Sequence, residues 1–278
     1  VELSSANSIN WGRLVPQVAY YFSAYADLLK KGVIALGDEV NFCVPTGNFG
    51  NILAAWYAKQ IGAPIERLLC ASNDNRVLTD FINTGTYDIS DREFILTSSP
   101  SMDILVSSNL ERLLYELCDR DGALVASWMQ ALKSGGTYAV GEAVHRALVE
   151  SFAAGWADDE KAMEAIARVH AECDYTMDPH TAVAWSVAEA YRAHTGDRRP
   201  MVVVSTASPY KFSRSVLTAL QGAEAVQALD EFACADALER ACGLPMPASL
   251  RDLRSKARRH NDVVEPAAMA DEVRRWVD

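Results

Sequence analysis

The feature that most restricts this chain is a repeated passage from a strand-like run, through a turn, into a helix-like run. Glu39 to Val44 is compact, apolar and partly β-branched, stops at Pro45 and Gly47, and is followed by a helical stretch from Asn51 to Ile61. The pattern recurs with a predicted strand at Arg67 to Ala71, a helix at Arg76 to Ile82 and a short strand around Phe94 to Leu96. Such alternation implies an α/β fold with a mainly parallel sheet, covered by helices on both faces. Met201 to Val204, almost purely β-branched, reads as a central strand of that sheet, buried on both sides.

Helices fill much of the rest. Trp11 to Lys31 is apolar with helical spacing, led by Asn10 as N-cap and ended near Gly32. Asp103 to about His194 reads as chiefly helical, with amphipathic segments at Glu142 to Phe152, Asp159 to His170 and Ala182 to Arg192. Beyond Gly222 the sequence turns Ala-rich and charged, with short helices near Ala225 to Ala241 and Ala268 to Val277. Two parts are therefore expected: residues 1–220, and a helical extension, 221–278, packed on them.

Composition bounds the function. At 278 residues, half of them hydrophobic, the chain can bury a sizeable core, and its net charge of −11 repels a nucleic-acid backbone or an anionic membrane. No apolar run reaches the roughly 20 residues of a membrane span. The six scattered cysteines contain no C-x-x-C pair and read as reduced thiols, so a soluble, cytoplasmic protein is expected. His145, His170, His180, His194 and His260 show no metal-ligand spacing, so no metal site is expected. The opening at Val1, on a loop feeding a helix, is what a piece of a longer protein would show.

Pro45-Thr46-Gly47-Asn48-Phe49-Gly50-Asn51 carries the strongest chemical signal. Glycines let the backbone turn tightly and approach a ligand, and the following helix presents its positive end, so a phosphate fits; spacing alone suits a plain structural turn equally well. Thr206 stands at the carboxyl end of a predicted strand, where parallel sheets place ligand-binding side chains, although on spacing Ser205 and Thr206 read better as caps of the next helix. The polar cluster from Ser5 to Asn10 stands before the first helix, where capping by Asn10 is the simpler reading. His180 has the chemistry of a general acid or base, yet Asp178 as N-cap and Pro179 in the first turn explain its segment as an ordinary helix start.

Together these segments resemble threonine synthase, over roughly Val1 to Leu220. The resemblance is carried by Asn7-Ser8-Ile9-Asn10-Trp11 with Arg13, by the Pro45 to Asn51 loop, and by Ser99-Pro100-Ser101-Met102-Asp103-Ile104 running on to Ser107-Ser108-Asn109-Leu110-Glu111-Arg112. Asp178-Pro179-His180-Thr181-Ala182 and Ser205-Thr206-Ala207 complete it. It implies a fold-type II pyridoxal-phosphate enzyme, similar to the tryptophan synthase β chain, of which this would be an incomplete large domain. It further implies that Gly47, Asn48, Phe49, Gly50 and Asn51 grip the cofactor phosphate, that the Thr206 hydroxyl meets the pyridine nitrogen, and that O-phospho-L-homoserine and water become L-threonine and phosphate. Asn7, Ser8, Asn10 and Arg112 are candidates for the substrate side.

The family's Schiff-base lysine lies in a Phe-Lys-Asp type motif, expected upstream of Val1. None of Lys30, Lys31, Lys59, Lys133, Lys161, Lys211 or Lys256 has that context. The chain alone is therefore expected to be inactive, and without its N-terminal partner region to expose apolar surface that favours self-association. A non-catalytic phosphate-binding or interaction module of the same fold is the alternative. Another fold-type II lyase would share the glycine loop, but not the Asn7 to Asn10 or Ser99 to Arg112 stretches.

Overall fold

The computed structural model describes residues 7–259 and 261–277. The Ser5-Ala6 end of the polar cluster and His260 lie outside them. Its elements are, in order, α1 (Trp11–Lys30), β1 (Val40–Pro45), α2 (Gly50–Gln60), β2 (Ile65–Ser72), α3 (Val77–Thr84), β3 (Thr86–Asp88), α4 (Leu110–Leu117), α5 (Gly122–Gly135) and β4 (Thr137–Ala139). There follow α6 (Glu142–Ser151), β5 (Phe152–Trp156), α7 (Asp159–Cys173), α8 (Pro179–Thr195), β6 (Met201–Val203), α9 (Ser213–Gln221), α10 (Glu231–Cys242), α11 (Ala248–Arg251) and α12 (Met269–Val277).

Four strands form a wholly parallel sheet in the order β5-β2-β1-β6. Alternate side chains of β1 and β2 enter two different cores, as the two-residue period of a strand requires. Phe42, Val44, Leu68 and Cys70 pack towards α1, α2, α3 and α6; Cys43, Leu69 and Ala71 pack towards α7, α8 and α9. All six residues of β1 are buried, which explains why it reads as a continuous apolar run rather than an alternating one. The parallel, helix-covered sheet expected from the alternation is thus present.

Two local expectations fail, and a third, which holds for most of its span, is incomplete. Phe94 to Leu96 forms no strand: among the described residues no ladder partner lies beside it, Leu96 is 83% exposed, and the segment is pinned instead by Asn75, whose side chain bonds both N–H and C=O of Ile95. The helical reading of residues 103–194 misses β4, which pairs antiparallel with β3, and β5, which pairs with Leu68 to Ser72 of β2. Phe-Ala-Ala-Gly-Trp has little strand propensity of its own, so its state is imposed by that pairing. Finally, β6 is an edge strand rather than a central one. It bonds β1 through Pro200 and Val204, which turns the main-chain groups of Met201 and Val203 outward, and among the described residues no further strand covers them.

Candidate functional site

The carboxyl ends of β1 and β6 open onto a cleft of about 220 Å³. Gly47, Asn48, Phe49, Gly50 and Asn51 line it together with Thr206, Ser8, Gln17, Ser101, Met102 and His180. The glycine loop and the β6 hydroxyl therefore share one crevice.

Peptide geometry orients the loop. The Gly47 carbonyl accepts from Ser107 Oγ at 2.7 Å, and the Asn48 carbonyl accepts from the Asn109 amide at 3.1 Å and from its Nδ2 at 2.8 Å. In a trans peptide the N–H points opposite to the C=O, so tying these carbonyls back to residues 107–109 directs the Asn48 and Phe49 N–H groups the other way. Among the described hydrogen bonds none uses the Gly47, Asn48 or Phe49 amide as donor. The first amides of α2 add to this set, because a helix start leaves its N–H groups without carbonyl partners. No lysine or arginine lines the cleft among the described residues, so an anion there would rest on main-chain donors and the α2 dipole.

Packing holds the loop in place. A Cβ on Gly47 would stand 2.7 Å from the Ser101 carbonyl oxygen, and one on Gly50 would stand 2.8 Å from Ser8 Cβ. Phe49 adopts the left-handed conformation, with φ of 63°, while its ring is buried against Phe152 at 5.8 Å. Asn51 is fixed from α1, where the Tyr21 hydroxyl lies 2.7 Å from Asn51 Oδ1; burial pushes that hydroxyl well above its ordinary range and keeps it protonated. Beneath the loop, burial pushes the Cys70 thiol up to about 12, so it stays protonated at neutral pH.

The other anticipated residues divide. Ser8 lines the cleft; Asn7, Asn10 and Arg112 do not. Asn10 caps α1 by accepting from the Gly12 amide at 3.0 Å. Asn7 accepts from the Ile9 amide at 3.0 Å. The Arg112 guanidinium donates to the carbonyls of Ser8, at 3.1 Å, and Ile9, so it anchors the segment that bears Ser8. Ser205 and Thr206 do not cap the helical turn at Pro209 to Phe212; Ser208 does, accepting from the Tyr210 amide. Ser107 to Asn109, which aim the loop, stand out in the sequence only as part of the family resemblance; their role exists only once the two segments meet.

A family profile described as "Threonine synthase, C-terminal" matches residues 181–277, which carries the likeness through the tail and past Leu220. The chain is 36% identical to the threonine synthase of Saccharomyces cerevisiae over 234 residues, covering 79% of this chain and 45% of that one. A solved structure of PLP-bound threonine synthase from Brucella melitensis superposes with a TM-score of 0.78 at 38% identity, over 98% of this chain and 53% of that one. The chain corresponds to the C-terminal portion of threonine synthase-like proteins. Human threonine synthase-like 1 is similar too, 48% identical over 219 residues, covering 79% of this chain and 29% of that protein. This threonine synthase-like chain thus spans about half the length, or less, of the curated relatives it matches. Among its described residues no helix is long and apolar enough to cross a membrane, and no His, Cys, Asp and Glu group could hold a metal ion.

Proposed function

We propose that this chain supplies the phosphate and pyridine-nitrogen contacts of a cytoplasmic pyridoxal-phosphate site that converts O-phospho-L-homoserine and water into L-threonine and phosphate. The observation that carries the reading is the pair of loop carbonyls tied to Ser107 and Asn109, which leaves the opposite amides facing a cleft that Thr206 also lines. The residues suit the group: two glycines stand where a Cβ would meet the neighbouring Ser101 and Ser8 segments, so the loop brings its main chain close there. When bound, the cofactor would act as an electron sink for carbanions. In this reading the amides of residues 47–51 hold its phosphate, and the Thr206 hydroxyl bonds its ring nitrogen without the charge a carboxylate would bring. Ser8 faces the substrate, with Asn7, Asn10 and Arg112 shaping the segment around it. The lysine for covalent attachment and proton transfer is assigned to polypeptide outside this cleft, so the chain by itself is proposed to bind and not to turn over.

Calorimetric titration tests this. Pyridoxal phosphate should bind the isolated chain, inorganic phosphate should compete, and pyridoxal without its phosphate should bind at least tenfold more weakly, about the value of one to two charge-assisted hydrogen bonds. Equal binding of pyridoxal and pyridoxal phosphate would rule the loop out. The absence of lysine from the described cleft also favours a second reading, a binding-only module of the same fold.

Self-association is part of the proposal. The accessible surface is 15,604 Å², against about 11,800 Å² for a compact monomer of this mass. The tail beyond residue 246 is mostly exposed, and α1 shows an uncharged stripe where Trp11, Val15, Ala19 and Phe22 are exposed on one side of the helix. Sedimentation is expected to show dimers or larger species that Val15→Glu with Phe22→Glu converts to monomer. A wild-type chain that stays monomeric at tens of micromolar refutes it.

A further inference from the structure

His180 reads in sequence as a possible proton carrier, but its surroundings give it different work. The side chain is buried and packs on the Phe212 ring at 4.8 Å. Its Nε2 accepts from the Ser101 amide at 3.2 Å, so that nitrogen carries no hydrogen. Nδ1 must then hold the ring proton, and it donates to Asp178 Oδ1 at 2.9 Å. Both nitrogens are committed within the protein, which leaves neither to exchange a proton with a molecule in the cleft.

Asp178, also buried, is the hub of this arrangement. Its Oδ1 caps α8 by accepting from the His180 amide at 3.0 Å, while Oδ2 accepts from Thr181 Oγ1. That hydroxyl in turn lies 3.4 Å from Ser205 Oγ, the neighbour of Thr206. One helix start therefore ties the Ser101 turn to the end of β6. The Ser101 turn is the wall that leaves no room for a Cβ on Gly47.

Resting on the reading of the cleft as a phosphate site, we propose that His180 is a positioning residue: locked in one neutral tautomer by Asp178, it holds the Ser101 turn against the glycine loop and so sets the width of the anion site. Without an acceptor at Nε2, the Ser101 amide loses its partner and the turn can move off Gly47.

Two substitutions of similar size separate positioning from bulk. Glutamine can place a carboxamide oxygen near the Nε2 position, whereas leucine cannot accept a hydrogen bond. His180→Leu is expected to weaken pyridoxal phosphate binding to the isolated chain about tenfold, the effect of one unsatisfied donor, and His180→Gln less than about threefold. Hydrogen exchange over residues 99–104 should speed up in the leucine variant and stay near wild type in the glutamine variant. Leucine binding and exchange equal to wild type, or a glutamine variant as impaired as leucine, would overturn the proposal. If wild type fails to bind pyridoxal phosphate, the cofactor reading falls by itself, and the exchange comparison still decides whether His180 positions the turn.

Discussion

Gly47→Ala is expected to reduce pyridoxal phosphate affinity roughly a hundredfold, the order of one to two charge-assisted hydrogen bonds lost when the loop amides are displaced. Gly47 does not have a left-handed backbone, so the cause is space rather than torsion. The added methyl would stand 2.7 Å from the Ser101 carbonyl oxygen, 3.0 Å from Ile104 Cδ1 and 3.1 Å from Met102 Cα. Two of these three are main-chain atoms of a hydrogen-bonded turn and cannot rotate aside. The loop must shift instead, at a stability cost of about 1–3 kcal/mol for overpacking. Gly50→Ala should be milder, because the atoms in its way belong to the Ser8 and Asn109 side chains. Thermal melting with calorimetry reads both effects; Gly47→Ala with unaltered affinity would show that anions bind elsewhere.

The second large effect concerns Asp103. Its Oδ1 accepts from Asn73 Nδ2 at 2.7 Å, Asn75 Nδ2 at 3.0 Å and Thr97 Oγ1 at 2.7 Å, and its Oδ2 accepts from the Thr97 amide at 2.9 Å. Asn73 and Asn75 are almost fully buried; without the carboxylate Asn73 Nδ2 keeps the Thr97 and Ser99 hydroxyls, but Asn75 Nδ2 keeps only the Ile95 carbonyl for its two hydrogens and the Thr97 amide loses its acceptor. Asp103→Ala should lower the unfolding free energy by about 2–4 kcal/mol in urea titration. Asp103→Asn should recover part of it, since its carboxamide oxygen can accept the three donors now on Oδ1 while its NH₂ group meets only the Thr97 amide. A loss below about 0.5 kcal/mol, the range of an ordinary surface substitution, would show that the cluster contributes little.

Which parts of the molecule are legible in sequence depends on how local their causes are. β1, its glycine turn and α2 can be read directly, because strand propensity, turn chemistry and helix start succeed one another within two dozen residues. The caps Asn10 and Asp178 are equally local. β5 cannot be read so, because Phe152 to Trp156 becomes a strand only beside β2, more than eighty residues earlier in the chain. Phe94-Ile95-Leu96 shows the converse: strand-like residues with no neighbour to pair with remain a loop. The run Val202-Val203-Val204 signals burial on both sides, but it cannot report that one side of the ladder is open.

The candidate site divides in the same way. The loop residues announce themselves, while the direction of their amides depends on Ser107 and Asn109, some sixty residues away. His180 is conspicuous in sequence for a chemistry that its hydrogen bonds exclude, and the assignment of both ring nitrogens needs Ser101 in view.

The left-handed backbone at Phe49 has one more consequence. A bulky residue in that conformation costs of the order of 1–2 kcal/mol, and here the seating of its ring beside Phe152 offsets it. The curvature of the turn is thereby an output of the hydrophobic interior, established when the core condenses and not when a guest arrives. Recognition of an anion would then be of the lock-and-key kind, with little entropy lost on docking, and mutations deep beneath the turn would alter affinity without touching the guest.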